Sequence, residues 1–204
     1  MHLLDQQILG VVVLLLLGLL VITKQMATGS ILEKPRGSLR VWLVNAFNLF
    51  FLLIANPLVA ILLITRQLEV VDPTHVAIDV PWLLIGLEIA GMALSVMGYL
   101  LMAWALIELG HIYQLGGSAP RAVDKMIVGG PYRFMRHPMY TAALCISVGL
   151  ACLVQSLAYF AVSGIYLVLI SWLIPVEEEG LRQAYGKPYI AYQHKVKKLI
   201  PFFY

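Results

Sequence analysis

The sequence predicts an all-α integral membrane protein with five transmembrane helices, the last two forming a helical hairpin. Of its 204 residues, 61% are hydrophobic and 12% are charged, whereas soluble domains carry about 25% charged residues. The 40 residues between Arg136 and Glu177 include no charged side chain. As one straight helix they would extend about 60 Å, roughly twice the hydrocarbon core of a bilayer. This stretch must therefore fold back on itself.

The first two spans are defined by runs of apolar residues. The first covers about residues 8–23 and could begin near Leu3. Because no Lys or Arg precedes it, we interpret it as a retained helix rather than a cleaved signal peptide. The second span covers about residues 41–65, and Pro57 is expected to kink it.

Polar side chains inside the second and third spans have alternative interpretations. Three amides fall on one face of the second span: Asn45, Asn48 and Asn56. Such side chains either pack between helices or line a cavity. The third span covers about residues 81–109 and contains Glu88. A carboxylate there is a functional hypothesis by default, and snorkelling or protonation is the alternative. Small residues on the same helix predict close packing: Gly91, Ser95 and Gly98.

The charge-free stretch predicts the hairpin, over about residues 138–174. Its turn is expected near Val154-Gln155-Ser156, where polar residues interrupt the apolar run close to its midpoint. A hairpin returns both of its ends to one face of the membrane. The segment around Arg136 should therefore lie beside the triplet Glu177-Glu178-Glu179. The tail that begins at Glu177 is predicted to be a surface helix with a basic end.

Charged residues predict the topology. Residues 24–40, residues 110–137 and the tail are rich in Lys and Arg, whereas the N-terminus and residues 66–80 are not. Short loops rich in Lys and Arg stay in the cytosol. Five spans, with the N-terminus outside and the C-terminus in the cytosol, satisfy every segment. Four or six spans would leave one basic end on the wrong side. The net charge of +3 does not imply a nucleic-acid partner.

Two polar stretches, residues 129–140 and the glutamate triplet, are candidates for chemistry. A purely structural interpretation makes the first a set of membrane anchors and helix caps and the second an acidic helix start. Three carboxylates at a membrane exit nevertheless require partners, which organic cations, Arg, Lys or a metal could supply. No His or Cys pair has ligand spacing, so we predict no metal. There is no Walker loop and no dinucleotide-binding fingerprint.

The order of motifs along the C-terminal half is distinctive. Gly-x-Tyr-x-x-x-Arg-His-Pro-x-Tyr, beginning at Gly130, is followed by the hairpin, by Glu-Glu, by Tyr185-Gly186-x-x-Tyr189-x-x-Tyr192 and by Ile200-Pro201. This order resembles the isoprenylcysteine carboxyl methyltransferase family, whose wider group includes phospholipid N-methyltransferases, and the length resembles its compact prokaryotic members. The resemblance covers about residues 108–201. It divides the chain into three N-terminal spans, 1–107, and a methyltransferase region, 108–204.

The resemblance implies that S-adenosylmethionine binds in a pocket open to the cytosol, and that a lipophilic acceptor enters from the membrane lipids. By position, the loop Asp124-Lys125-Met126-Ile127 should cover the cofactor, largely through its backbone. The other implied cofactor-binding residues are Tyr132, His137, Pro138, Met139, Tyr140 and Glu177. Carboxylates and aromatic rings suit a sulfonium and an α-amino group. Glu178 is the candidate proton acceptor if an amine or thiol is methylated.

One position departs from the family pattern. The family's carboxyl methyltransferases have an arginine four residues before the cofactor-binding glutamate, and Leu173 stands there in this chain. Because a carboxylate is costly to desolvate without a partner, a neutral, amine, thiol or hydroxyl acceptor is expected. Leu173→Arg should then improve binding of a carboxylate acceptor. Two other functions stay open: a sterol-reductase-like membrane oxidoreductase, whose nicotinamide contacts are not found, and a non-catalytic lipid-binding membrane protein.

Overall fold

The structure is a computed structural model that describes residues 5–30, 39–112 and 125–200. These ranges form α1 (Gln6–Thr28), α2 (Leu39–Phe50), α3 (Asn56–Ile64), α4 (Leu68–Val71), α5 (Pro81–Leu109), α6 (Pro138–Val154), α7 (Leu157–Tyr185) and α8 (Lys187–Lys195). Four stretches within them are long and apolar enough to cross a membrane: α1, residues 39–64, residues 81–112 and α7. α6 is apolar but shorter, with 17 residues. The predicted helical membrane class is confirmed.

α1 begins and ends at residues with clear capping chemistry. The Asp5 carboxylate accepts a hydrogen bond of 2.8 Å from the Gln7 N–H, which satisfies one of the unpaired donors at a helix start. At the other end Gly29 has a φ of +76°, and its N–H donates to the carbonyl of Gln25. This left-handed cap is typical of glycine. The helix therefore extends beyond the predicted span, to Thr28.

A π-helical turn joins α2 to α3. It occupies Phe51–Ala55 and lies immediately before Asn56 and Pro57. Proline has no N–H and cannot donate the regular bond to the carbonyl four residues earlier. A wider turn is one way in which a helix absorbs that loss. The disturbance predicted at Pro57 thus takes the form of a π turn that begins six residues earlier.

The small-residue strip of α5 lies against α6, as predicted. A Cβ atom added to Gly91 would be 2.8 Å from the carbonyl oxygen of Gly149, and one added to Gly98 would be 2.8 Å from that of Ala142. These distances are too short for any side chain. The two helices pack backbone to backbone, which is the contact that glycine strips permit in membranes.

The hairpin turn lies where it was predicted. α6 ends at Val154, Gln155 adopts a left-handed φ of +51°, and the Ser156 hydroxyl accepts a hydrogen bond from the N–H of Tyr159 at 3.2 Å. The loop after α4 fastens this turn, because the carbonyl of Thr74 accepts the N–H of Leu157 at 3.2 Å.

The predicted boundary between the hairpin and the tail is wrong. α7 runs without interruption through Pro175 and the glutamate triplet to Tyr185. A proline inside a helix costs about 3 kcal/mol, and contacts on both sides of it offset this cost. Leu173 and Ile174 are buried in an apolar cluster with α2, and Glu178 is held by ion pairs. At 29 residues, α7 is about 44 Å long and exceeds the hydrocarbon core. Only α8 is a separate terminal helix.

Candidate functional site

The two polar stretches meet, as predicted from the hairpin. The Arg136 guanidinium contacts Oε1 of Glu178 at 2.7 Å through Nε and again through its second terminal nitrogen. Nε2 of His137 lies 3.2 Å from the same oxygen. Gln193 donates to the other oxygen at 3.1 Å. Glu178 is only 3% exposed, so a buried carboxylate is fully surrounded by hydrogen-bonding partners.

The segment after α8 fixes the position of Arg136. The backbone N–H groups of Arg136 and His137 donate to the carbonyls of Lys197 and Lys198, at 2.8 and 3.0 Å. The guanidinium also donates to the carbonyl of Gln193 at 3.2 Å and to that of Val196. Residues 196–198, which we call the strap, therefore orient the charged side chains through backbone hydrogen bonds.

The three consecutive glutamates have three different environments. Successive residues of an α-helix point about 100° apart, which sends Glu178 into the ion pairs and Glu177 toward a cavity. Oε2 of Glu177 is 3.6 Å from Nδ1 of His137. Glu179 is exposed and contacts Arg182 at 3.2 Å. The triplet thus divides into a buried, a cavity-facing and a surface carboxylate.

A cavity of about 350 Å³ lies beside this cluster, within the size range of small-molecule sites. Eight of the nine expected cofactor-binding residues line it: Lys125, Met126, Ile127, Tyr132, His137, Met139, Tyr140 and Glu177. The ninth, Pro138, is buried at the first position of α6 and does not line it. Asp124 lies outside the described residues. Glu178 also stands behind the wall, where hydrogen bonds from His137 and Arg136 outweigh burial and lower its pKa. This placement makes Glu178 a poor proton acceptor, although its role stays a prediction.

Tyrosines form much of the wall near the charged cluster. Tyr185, Tyr189 and Tyr192 line the cavity, and the sequence motif contained them without indicating that role. The Tyr192 hydroxyl donates to the carbonyl of Tyr132, and burial raises its pKa, so it stays protonated. The Tyr189 hydroxyl is buried and has no hydrogen-bond partner among the described residues.

The other end of the cavity extends between membrane helices. Apolar residues of α1, the π turn and α6 form this part, with Leu17, Phe51 and Ile146 among them. The three amides of the second span also line the cavity: Asn45, Asn48 and Asn56. The structure therefore favours the cavity-lining interpretation of these asparagines. Sequence periodicity placed them on one face, but nothing in the sequence indicated what that face contacts.

Two residues singled out in the sequence lie away from the cavity. Glu88 is buried in α5 and lines a separate small pocket with His75 and Gln155, so it does not snorkel. Leu173 is 0% exposed and packs with Val41 in an apolar cluster. An arginine at 173 would be buried there rather than facing a ligand, which makes Leu173→Arg unsuitable for testing carboxylate binding. Among the described residues no group of three His, Cys, Asp or Glu side chains could hold a metal ion.

Comparison with known proteins decides the family. The family described as phospholipid methyltransferase matches residues 87–188, half of the chain. The chain belongs to this family. The match begins within α5, earlier than the motif order suggested, and ends before Ile200.

Curated relatives and a solved structure carry related names. Protein-S-isoprenylcysteine O-methyltransferase B of Arabidopsis thaliana is 30% identical over 118 residues, which are 55% of this chain and 58% of the relative. A probable protein-S-isoprenylcysteine O-methyltransferase of Oryza sativa subsp. indica is 31% identical over 121 residues, 55% of this chain and 60% of the relative. The chain thus spans less than two thirds of their length.

The structural comparison extends the likeness beyond the matched segment. The eukaryotic intramembrane Ras methyltransferase ICMT (isoprenylcysteine carboxyl methyltransferase) superposes with a TM-score of 0.54 at 20% identity, covering 79% of this chain and 74% of that one. The resemblance predicted from the motifs is confirmed. This phospholipid methyltransferase family member has an ICMT-like fold and is an integral, multi-pass membrane protein.

Proposed function

We propose that the protein transfers a methyl group from S-adenosylmethionine to a lipophilic acceptor that reaches the site from the membrane. One observation carries this proposal: a single cavity joins a charged, tyrosine-lined end near His137 and Glu177 to an apolar end between membrane helices. A polar cofactor and a lipid require these two environments side by side. The names of the relatives agree with a lipidated acceptor.

The donor groups at the charged end fit S-adenosylmethionine. When bound, this cofactor supplies a methyl group already activated by the positive charge on its sulfur. The Glu177 carboxylate suits an ammonium or sulfonium group, and tyrosine rings suit cations through their faces. The buried, unpartnered hydroxyl of Tyr189 offers a hydrogen bond to a bound molecule. Residues 125–127 lie over the same end and would cover the cofactor.

Arg136, His137 and Glu178 would position these groups rather than react. Arg136 and Glu178 neutralise each other, and His137 is placed between Glu178 and Glu177 by contacts at both ring nitrogens. Such fixed side chains orient reactants and exclude water, which is the main contribution a protein can make to transfer from an activated donor. We therefore assign Glu178 a positioning role in this proposal.

The reacting group of the acceptor is predicted to carry no negative charge. Arg136 lines the cavity, but its guanidinium is engaged by Glu178 and by two backbone carbonyls. Glu177 would repel a carboxylate beside it. Purified protein should methylate a long-chain amine or thiol faster than the carboxylate of N-acetyl-S-farnesylcysteine. Faster methylation of the carboxylate would overturn this prediction and leave the methyltransferase proposal intact.

The proposed topology has five spans, with the N-terminus outside and the active site in the cytosol. The contact between Arg136 and Glu178 supports a hairpin whose two ends share one face, and in the proposed topology α6 and α7 each cross the membrane. At 17 residues, α6 is near the lower limit of about 17–25 for a span. Reporter fusions at residues 1 and 204 should report opposite sides of the membrane. The same side for both fusions would exclude five spans.

The proposed activity is tested by binding and transfer with the detergent-solubilised protein. Calorimetry should detect S-adenosylmethionine and should not detect a reduced nicotinamide cofactor, which the oxidoreductase alternative would require. Label from the methyl group should then appear in a lipid extract from the producing cells. Nicotinamide binding, or neither ligand binding to folded protein, would contradict the proposal.

A further inference from the structure

The membrane end of the cavity contains polar atoms that helix packing does not use. Asn56 and Tyr99 line it, and each is at least nine-tenths buried. The Tyr159 hydroxyl donates to the carbonyl oxygen of the Asn56 side chain at 2.7 Å. The Tyr99 hydroxyl has no hydrogen-bond partner among the described residues. We call Asn56, Tyr99 and Tyr159 the deep polar group.

The deep polar group lies far from the charged cluster. Tyr159 precedes Glu177 by 18 residues in α7, about 27 Å along the helix. Tyr99 precedes the last residue of α5, Leu109, by 10 residues, about 15 Å. Within a bilayer no bulk water reaches such positions to replace a missing partner.

The backbone around Asn56 is also irregular. The π turn Phe51–Ala55 directly precedes Asn56, and both Phe51 and Asn56 line the cavity. π turns inside α-helices occur frequently at functional sites. The first two residues of the π turn, Phe51 and Leu52, therefore form part of this wall together with Asn56.

A nearby hydrogen bond between two serines shows how polar side chains are arranged when they serve only helix packing. The Ser147 hydroxyl donates to that of Ser163 at 2.5 Å, and Ser163 donates to the carbonyl of Tyr159 at 2.9 Å. Both serines are buried and neither lines the cavity. These two hydroxyls are satisfied by the helix packing itself, whereas the Tyr99 hydroxyl, which belongs to a cavity-lining residue, has no such partner among the described residues. The Asn56 amide N–H₂ group likewise makes no hydrogen bond to the described residues.

Both unused groups can donate a hydrogen bond. The oxygen of the Asn56 amide is occupied by Tyr159, which leaves its N–H₂ group, and a tyrosine hydroxyl can donate. An acceptor oxygen complements both groups, and one that carries no hydrogen adds no further donor that would need a partner inside the membrane. A carbonyl oxygen, with two lone pairs, fits both donors, and an ether oxygen fits one or both.

We propose that the lipid occupying this cavity carries a carbonyl or ether oxygen in its buried portion, and that Asn56 and Tyr99 donate hydrogen bonds to it. The inference deepens the proposed function, because it adds a chemical feature to the acceptor: the tail is oxygenated rather than an unbroken hydrocarbon. The oxygen lies well inside the membrane, separated from the methylated end by an apolar stretch.

The test uses two probes and no cofactor, so that its result does not depend on whether the protein transfers a methyl group. The probes are hexadecylamine and the same amine with a ketone four carbons from the chain end. Binding is measured with the purified full-length protein in detergent, by the ligand-induced rise in unfolding temperature across a concentration series. Wild-type protein should bind the ketone roughly 5- to 10-fold more tightly, the effect of one or two added hydrogen bonds.

Tyr99→Phe removes only the hydroxyl and should reduce that preference to about twofold or less, with Asn56→Leu acting in the same direction. Ser147→Ala is the matched control and should keep the full preference. Without ligand, Tyr99→Phe should unfold at the same or a higher temperature, because it removes an unsatisfied group. Equal binding of both probes by wild type, a preference that survives Tyr99→Phe, or a lower unfolding temperature for Tyr99→Phe would each overturn the proposal.

Discussion

The two ends of the cavity differ in how their polar side chains are hydrogen-bonded. At the charged end, formed by Arg136, His137, Glu177 and Glu178, every oxygen of Glu178 has a partner from within the chain. At the other end the deep polar group keeps unused donors in a place without water. Satisfied groups give a rigid surface, whereas unsatisfied groups are stabilised only by a ligand. The network around Glu178 is therefore complete without a ligand, whereas Asn56 and Tyr99 keep donors that point to a ligand in the cavity.

The largest expected effect is on stability at the charged end. Arg136→Leu removes the main partner of a buried carboxylate and should lower the free energy of unfolding by about 3–5 kcal/mol. The double variant Arg136→Leu/Glu178→Leu should recover part of that loss, because neither charge is then left unpaired. Thermal and denaturant unfolding in detergent measure both. A single variant as stable as wild type would show that the charged end is not rigidly built.

The next effect is on cofactor affinity. Glu177→Gln and His137→Ala should each weaken S-adenosylmethionine binding by about 10- to 150-fold, the value of one hydrogen bond to a charged group at about 1.5–3 kcal/mol. Calorimetry on folded variants measures this. Glu179→Gln, two residues further along α7 and facing solvent, is the matched control and should bind normally. Unchanged affinity in both site variants would mean that the cavity does not hold the cofactor at this end.

A smaller effect is expected from the link between α8 and the loop before α6. Tyr192→Phe removes the hydrogen bond to the Tyr132 carbonyl and should cost about 0.5–1.5 kcal/mol. Burial raises the pKa of Tyr192 above its ordinary value, so the folded state holds the proton more tightly than the unfolded state. The stabilisation is present below pH ~10 and declines as the pH rises further. Wild type and Tyr192→Phe should therefore converge in stability in strong alkali, and parallel curves would contradict this.

The smallest effect concerns the surface carboxylate. Glu179 and Arg182 form an exposed pair, with side chains 54% and 45% accessible. Such pairs contribute about 0–1 kcal/mol, so Arg182→Gln should change the unfolding free energy by less than that. A change as large as that of Arg136→Leu would mean that the contact between Arg182 and Gln193 couples the surface pair strongly to Glu178.

The charged end was predictable from the sequence and the membrane end was not. The length of the uncharged stretch between Arg136 and Glu177 required a hairpin, and a hairpin places Arg136 beside Glu178. The end of that hairpin was misplaced, because Pro175 and the glutamates look like a helix start while contacts distant in sequence hold α7 together. Asn56 and Tyr99 belong to helices that are mostly apolar. Whether one of their side chains contacts a cavity depends on how the helices pack. Sequence periodicity identifies which residues share a helix face, but not which helix or cavity that face contacts.

The position of the strap, after the last helix in the sequence, has a consequence for biosynthesis. The backbone carbonyls that fix Arg136 and His137 belong to residues 196–198, and the hydroxyl of Thr141 donates to the carbonyl of Leu199 at 2.8 Å. A chain still on the ribosome can insert its helices in order, yet it has no acceptors for these groups until residue 199 has been released. The backbone contacts around Arg136 and His137 therefore form only after all the described helices have been synthesised.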